Sequence, residues 1–316
     1  TMEIAKHSAK TVVKMLSSSD RLCIITFSHT ISLKMNLINM NEENKTSALA
    51  IIENIKPSGS TDIWGSLLLS FDIIKNRQNK NNFSCICLLT DGQPNKSPPR
   101  GELYEMNQIY THELNCVLNT YAFGTQPDRF LLKSLSDVTY GLFSNIPSAD
   151  MVGTTFINTI ASLLCMSIDD YNKRKLKQSN DDVKFKLYNL LYSIVNDLKK
   201  KHKYSLQLSD LNKYKNNVLD FISIIKENND YNTNTFYKNI VHDLEDQVIK
   251  ALSNVDWYIK WGEGYILMLA NAHQYEICNN FKDHSVQVYS NDEFEKIRNN
   301  GEEIFKSIPP PKAITS

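Results

Sequence analysis

The amino-acid sequence predicts an α/β domain with a doubly wound, mostly parallel sheet (Rossmann-like), followed by a mainly α-helical domain. Three observations support this fold class. Apolar, strand-like runs alternate with segments of helical spacing over residues 1–165. The apolar run at residues 85–89 leads directly into Thr90-Asp91-Gly92, as a buried strand that ends in a polar loop does. Beyond residue 165, glycine is rare and apolar residues recur only at helical spacing.

In the first domain, residues 1–165, each element follows from its own pattern. Helical spacing predicts helices over 4–16, 46–55, 63–76, 102–114, 129–135 and 149–164. Apolar or alternating runs predict strands over 21–28, 31–37, 85–89, 117–123 and 140–143, with 31–37 as an edge strand paired to 21–28. This alternation predicts parallel strands with helices on both faces.

The second domain is predicted to begin after a polar linker at residues 166–182 and to extend over 183–316. Amphipathic spacing predicts helices over 183–198, 210–228 and 235–261. The proline run at 309–311 predicts an extended tail. The basic cluster at 199–203 stands at a predicted helix end, where cations complement the helix dipole, so we interpret it as a solvated terminus.

Composition excludes several classes of function. Lys+Arg and Asp+Glu are equal at 35 each, so no global charge favours nucleic acid or an anionic membrane as a partner. No apolar run approaches the roughly 20 residues that cross a bilayer, and no signal-peptide pattern opens the chain. The six cysteines lack zinc-type spacing, and Cys85 and Cys87 lie among Ile and Leu as core residues do. We therefore expect a soluble protein of the reducing cytoplasm, with the nucleus also allowed.

Two short segments carry the candidate site. Ser58-Gly-Ser-Thr-Asp62 contributes the Thr61 hydroxyl, and Leu88-Leu-Thr-Asp-Gly-Gln93 contributes the Asp91 carboxylate at a strand end, where open α/β sheets bind ligands. Asp62 precedes a helical run, so we interpret it as a helix cap rather than a ligand. Asp91 before Gly92 also has the pattern of an ordinary turn, and the upstream loop favours a site. His273 has no nucleophile near it in the sequence and is interpreted as a hydrogen-bonded structural residue.

Three segments in this order and spacing resemble the von Willebrand factor A (vWA) domain: Arg21-Leu-Cys-Ile-Ile-Thr-Phe-Ser28, Ser58-Gly-Ser-Thr-Asp-Ile63 and Leu88-Leu-Thr-Asp-Gly-Gln93. The resemblance implies a doubly wound fold with a metal-ion-dependent adhesion site (MIDAS) at its top, normally filled by Mg²⁺. Thr61 and Asp91 match two of the family's metal ligands. The family's open coordination position takes an acidic residue of a protein partner.

The second domain resembles the Vwaint region that accompanies some vWA domains. Four segments carry this resemblance: Trp261-Gly262, Ala270-Asn-Ala-His-Gln274, Cys278-Asn-Asn-Phe-Lys-Asp283 and Ile308-Pro-Pro-Pro311. Relatives with this region carry intein-like domains or RING/U-box modules. No zinc pattern of a RING accompanies it in these residues, and the closing helix runs almost directly into the helical domain. Ligase or self-splicing chemistry is therefore not expected of this chain.

One departure from the family concerns its first strand, which carries Asp-x-Ser-x-Ser and precedes the helix that begins near Thr1. In the family's fold that strand lies between the strand at 21–28 and the strand that ends at Asp91. We expect the chain to be N-terminally truncated or to be completed by another segment, because an unfilled centre exposes two rows of unpaired backbone groups. Thr61 and Asp91 alone are expected to bind Mg²⁺ weakly or not at all, because Mg²⁺ takes about six oxygen ligands.

The function expected from these resemblances is a non-enzymatic protein-interaction module. It binds an acidic partner group through metal when the missing strand is supplied, and it serves in substrate recognition if it belongs to a ubiquitin-ligase-type protein. Two alternatives stay open at this point. One is a remnant of an intein-associated self-processing protein, and the other is a purely structural domain without metal. No candidate catalytic residue stands out.

Overall fold

A computed structural model of the chain describes residues 2–81, 83–110, 115–148, 151–176, 183–201 and 205–309. The strands are β1 (Arg21–Phe27), β2 (Ile31–Asn39), β3 (Ser84–Thr90), β4 (Cys116–Phe123) and β5 (Phe143–Ile146). The helices of the first half are α1 (Met2–Met15), α2 (Glu42–Glu53), α3 (Ile63–Asn76), α4 (Glu102–Ile109), α5 (Arg129–Val138) and α6 (Val152–Leu164). The α/β class predicted from the sequence is confirmed by this alternation of strands and helices.

The remaining helices follow in one series: α7 (Ile168–Leu176), α8 (Val183–Lys199), α9 (Leu208–Lys226), α10 (Thr235–Asp243), α11 (Ile249–Ala251), α12 (Val255–Trp257), α13 (Glu263–Tyr275) and α14 (Asp292–Ser307). Helix α7 occupies part of the predicted linker. Parts of several predicted features lie outside the described residues. They are the end of the helix over 102–114, the start of the helix over 149–164, the end of the linker, residues 202–203 of the basic cluster and most of the proline tail. None of the described helices is long and apolar enough to cross a membrane.

The second half of the sheet is parallel, as the sequence predicts. Strands β3, β4 and β5 lie in that order, with Ser84 opposite Cys116 and Thr120 opposite Phe143. All eight residues of β4 are buried, because β4 has a strand on each side and helices over both faces. The strand is mostly apolar, as expected of a strand covered on both faces, and its polar residues Asn119 and Thr120 are buried with the rest.

The first half of the sheet is a separate antiparallel hairpin of β1 and β2. Every residue of β1 is partly exposed, unlike those of β4. Among the described residues no strand pairs with the second edge of β1 or with the outer edge of β3. The resemblance to the vWA domain implies that the family's first strand lies at this place, between the hairpin and the strand that ends at Asp91.

The predicted strand at 140–143 begins three residues later than expected. Tyr140 adopts a positive φ of 59°, which no strand residue takes. Gly141 passes so close to β4 that a Cβ there would lie 2.1 Å from the carbonyl oxygen of Leu118. The tight turn ends at Leu142, and β5 starts at Phe143. The apolar pattern alone could not locate this turn because both sides of it are buried.

The prediction of one continuous helix over 235–261 is wrong, because the helix is interrupted. It breaks at Ser253, and Asn254 caps the next helix by accepting a hydrogen bond from the Trp257 backbone N–H at 3.0 Å. Each part also contains a wider π-type turn, at Leu244–Val248 and Tyr258–Gly262. Such turns free backbone carbonyl groups from the regular helix ladder. The turn at Tyr258–Gly262 presents two such carbonyl groups, those of Ile259 and Lys260, to Arg129 of the first half.

Candidate functional site at the ends of two strands

The loop that carries Thr61 is tied to the ends of β1 and β3. The Asp62 backbone N–H donates to the carbonyl oxygen of Ser28, just after β1, at 3.0 Å. The Thr61 backbone N–H donates to Oδ1 of Asn95, in the loop after β3, at 2.8 Å. The Asn95 N–H donates in return to the Thr61 carbonyl oxygen at 3.0 Å. These bonds hold the loop in place at the carboxyl ends of both strands.

The Thr61 hydroxyl lies beside the Asp91-Gly92 turn. A Cβ on Gly92 would be 2.9 Å from Thr61 Oγ1, so glycine allows this close approach. Asp91 is exposed, and within the described part of the chain its carboxylate has no hydrogen bond or ion pair. The structure thus brings the two candidate ligand residues to one corner of the molecule.

Asp62 has a structural role, as the sequence predicts. It is the N-cap of α3, and its Oδ1 accepts a hydrogen bond from the Gly65 backbone N–H at 2.8 Å. Its Oδ2 accepts from Lys96 Nζ at 2.9 Å, and the residue is only 2% exposed. Because both oxygens are engaged, Asp62 is not available to a ligand. The sequence did not indicate these roles of Asn95 and Lys96, because each residue lies 34 positions from its partner, Thr61 or Asp62.

The donor set at this corner does not complete a magnesium site. The described residues contain no group of three or more His, Cys, Asp or Glu that could hold a metal. The Thr61 hydroxyl and the Asp91 carboxylate are hard oxygen donors of the kind that Mg²⁺ prefers, but Mg²⁺ takes about six such ligands. Two side chains leave most of that coordination shell to water, so the described residues fit only part of the site.

A second constellation of polar residues, around His273, is buried except for the partly exposed Tyr289. Ser285 Oγ donates to Asp243 Oδ2 at 2.6 Å and lies 3.1 Å from His273 Nε2. Because the serine proton points to Asp243, the imidazole N–H must donate to the serine, and Nδ1 accepts from the Tyr289 hydroxyl at 3.0 Å. Burial, reinforced by Lys184, lowers the pKa of His273 from 6.5 to about 3.

This arrangement opposes a nucleophilic role for Ser285. Ser285 is 1% exposed and His273 2%, so no substrate reaches them. A neutral histidine that donates its proton to the serine cannot act as its general base. Nearby, burial and the charge of Asp243 raise the pKa of Asp283 to about 6. The structural interpretation of His273 agrees with this geometry.

Arg129 joins the two halves of the chain and was missed by sequence reasoning. Its side chain is fully buried and pairs with Glu263 at 3.1 Å. It also donates to Oδ1 of Asn145 at 2.9 Å. Two further bonds reach the carbonyl oxygens of Ile259 and Lys260, at 3.3 and 3.2 Å, in the second π-type turn. Ile259 and Lys260 lie about 130 residues from Arg129 in the sequence, so no local pattern could reveal these contacts.

Comparison with protein families gives two matches. Residues 1–93 match the model of the von Willebrand factor type A domain, and residues 234–303 match the model described as VWA / Hh protein intein-like, or Vwaint. The first match includes both Thr61 and Asp91. The second includes His273 and the Asp243–Ser285 network.

Among curated proteins, the chain is similar to inter-alpha-trypsin inhibitor heavy chain H2 of Sus scrofa, with 27% identity over 151 residues. That alignment covers 46% of this chain and 16% of the relative. It is also similar to the E3 ubiquitin-protein ligase WAV3 of Arabidopsis thaliana, with 24% identity over 119 residues, which cover 37% of this chain and 15% of the relative. The matched segments therefore span less than a fifth of these relatives' lengths.

Solved structures give weaker matches. A von Willebrand factor type A protein from Catenulispora acidiphila aligns with a TM-score of 0.43 and 15% identity, over 48% of this chain and 35% of that chain. Proximal thread matrix protein 1 from the mussel byssus, with a zinc-occupied MIDAS motif, aligns with a TM-score of 0.42 and 22% identity, over 51% of this chain and 40% of that chain.

Proposed function

The chain carries a von Willebrand factor type A domain followed by a Vwaint region, and from this premise we propose that it is a non-enzymatic protein-interaction module. The observation that carries the proposal is the corner where the Thr61 hydroxyl lies against the Asp91-Gly92 turn. The Asp91 carboxylate there is exposed and has no partner within the described residues. The hydrogen bonds to Asn95 and Ser28 hold this corner in shape before a partner arrives.

We propose that the partner presents an acidic group and that a divalent cation mediates the contact. An unpaired Asp91 carboxylate repels another acid directly, so a cation between the two is needed for attraction. Thr61 and Asp91 would hold that cation together with further oxygen donors supplied beside β1 and β3. Since the described residues supply only these two ligands, residues 1–316 by themselves are expected to bind Mg²⁺ weakly or not at all.

The similarity to an E3 ubiquitin-protein ligase supports a finer proposal, which is substrate recognition within a ligase-type protein. Ligase activity itself would come from a module outside residues 1–316. A reducing compartment fits the cysteines, since all six are free. A self-processing function has less support, because the buried Ser285–His273 pair faces no substrate.

The interaction proposal is tested by capturing partners with the wild-type chain and with three variants, in EDTA and in a large excess of Mg²⁺, which compensates for the weak affinity expected of two ligands. Asp91→Asn and Thr61→Ala are expected to lose a specific partner. Asp220→Asn, which changes an exposed carboxylate on α9, is expected to keep it. Loss of the partner in EDTA supports the metal-mediated form.

If the partner is retained in EDTA but lost with Asp91→Asn, the cation-mediated contact is refuted, and the assignment of the interaction surface to this corner stands. A partner bound equally by all variants removes this corner as the binding surface. Incubation of the purified chain followed by mass spectrometry tests the self-processing alternative, and we expect an unchanged mass.

A further inference from the structure

A cavity lies where the two halves of the chain meet. Its volume is about 210 Å³, and its walls come from α6 and α7 on one side and from α13, the loop after it and α14 on the other. Small-molecule sites often form at such junctions. Asp170 and Lys173 on its rim are exposed, so the cavity is open to solvent. Thr61 and Asp91 do not line it, so it is separate from the corner proposed above as the interaction surface.

Part of the cavity wall is apolar. Ile277, Cys278 and Phe294 line it and are buried in the core around it. Burial raises the pKa of the Cys278 thiol to about 11, so this side chain lines the cavity as a neutral group. Met166 adds a flexible thioether, which adapts to the shape of an apolar ligand. A molecule in the cavity therefore meets carbon and sulfur atoms along this part of the wall.

Of the described residues, four with charged side chains line the cavity, and three of these are paired. Lys173 Nζ donates to Asp170 Oδ1 at 3.4 Å, and Lys184 Nζ donates to Glu276 Oε1 at 2.8 Å. Arg174 has no carboxylate partner in the described part of the chain. The cavity therefore contains one cation that no acid of these segments neutralises.

The guanidinium of Arg174 is held in place, but most of its donors are unused. Its Nη1 donates to the carbonyl oxygen of Tyr140 at 3.4 Å, and its central carbon lies 5.7 Å from the centroid of the Tyr275 ring. Its Nε and Nη2 have no hydrogen-bond partner among the described residues and are accessible to solvent. Burial lowers the pKa of Arg174 to about 10, as expected of a cation that loses water without gaining a carboxylate.

We infer that this cavity binds a small monocarboxylic acid with an apolar body, and that Nε and Nη2 of Arg174 hold its carboxylate. These two nitrogens form one side of the guanidinium, where parallel N–H groups match the two oxygens of a carboxylate. One unpaired cation balances one negative charge, which favours a monocarboxylate over a phosphate dianion. An apolar cavity of about 150 Å³ holds benzene, so this larger one holds roughly nine non-hydrogen atoms, the size of benzoate.

The test titrates the full chain with benzoate and three comparison compounds, followed by NMR of the backbone amides. We expect benzoate to bind saturably at a 1:1 ratio with a Kd on the order of 0.1–1 mM, as suits a ligand of this size. The amide signals of Ile277 and Cys278 are expected to shift. Benzamide has the same shape without the charge, and acetate has the charge without the ring. Each is expected to bind at least about tenfold more weakly than benzoate.

Substitutions of Arg174 separate the shape of the guanidinium from its charge. Arg174→Lys keeps the positive charge and loses the paired N–H groups, and we expect benzoate to bind at least about fivefold more weakly. Arg174→Met loses both and is expected to show no saturable binding. Arg100→Met removes an arginine that does not line the cavity and is expected to bind benzoate as wild type does. The comparison of benzoate with benzamide uses only the wild-type chain, so it stands even if a variant fails to fold.

Three results would overturn the inference. They are equal affinity for benzoate and benzamide, no saturation by benzoate up to about 10 mM, and benzoate binding that neither substitution of Arg174 weakens. Inorganic phosphate is the third comparison compound, and its displacement of benzoate at equal concentration would assign the cavity to phosphate and also overturn the inference. Carboxylate binding by Arg174 needs no metal, so EDTA and Asp91→Asn are expected to leave benzoate affinity unchanged. Either proposal can therefore fail without the other.

Discussion

Replacing His273 with glutamine should remove a specific dependence of stability on pH. In the folded chain the pKa of His273 is lowered from 6.5 to about 3, mainly by burial. Between these values the unfolded chain carries a proton on this histidine and the folded chain does not. The unfolded state is therefore favoured as the pH falls, and the stability that is present above pH 6.5 is lost progressively toward pH 3.

The magnitude follows from the two pKa values. At pH 5 the unfolded histidine is almost fully protonated and the folded one almost fully neutral, which corresponds to a loss of about 2 kcal/mol relative to pH 7.5. His273→Gln cannot take up this proton. We expect the variant to be less stable at pH 7.5, because it replaces the hydrogen bonds to Ser285 and Tyr289 imperfectly, and to lack this part of the pH dependence.

The assay is urea unfolding of both proteins at pH 7.5 and pH 5, reported as the difference in the free energy of unfolding. Taking the difference matters because the pKa of Asp283 is raised to about 6, so its contribution to stability is present below its unfolded value and lost as the pH rises through about 6. That contribution opposes the one from His273 and is common to both proteins. Tyr289→Phe is the matched control, since it removes the hydrogen bond to His273 Nδ1 and keeps the imidazole.

Tyr289→Phe is expected to cost about 1 kcal/mol at both pH values and to keep the wild-type pH dependence. If His273→Gln shows the same pH dependence as wild type, His273 is protonated in the folded chain, and the assignment of a neutral, buried imidazole is refuted.

Three further substitutions test the packing around the two sites, each by urea unfolding against wild type. Arg129→Leu removes the buried cation that pairs with Glu263 and donates to Asn145, Ile259 and Lys260, and should cost about 3–5 kcal/mol, whereas a cost below about 1 kcal/mol would show that these contacts contribute little to stability. Asp62→Ala removes the α3 cap and should cost about 1 kcal/mol, and an unchanged stability would contradict its capping role. Gly264→Ala places a methyl group 2.2 Å from Asn145 Cγ and should cost about 1–3 kcal/mol, and a neutral result would mean that Asn145 moves freely.

The local pattern of the sequence predicted most strands and helices of the first half but missed features that depend on distant residues. The helix at 63–76 was predicted with the bounds that the structure gives, because its cap and its apolar face are both local. The positive φ of Tyr140 was not predictable, since the residues on both sides of that turn are buried. The break at Ser253 carries a local signal, the capping residue Asn254, which the prediction of one helix over 235–261 overlooked. The predicted helix over 235–261 did not reach Glu263, and only the fold brings Arg129 to it.

The candidate site also combines features that a local pattern predicts with features that depend on distant residues. Thr61 and Asp91 could be found from the sequence because each lies in a short motif at the end of a predicted element. Their closeness depends on the bare backbone of Gly92, which the sequence indicated only as a turn residue, and on Asn95, which the sequence did not indicate at all.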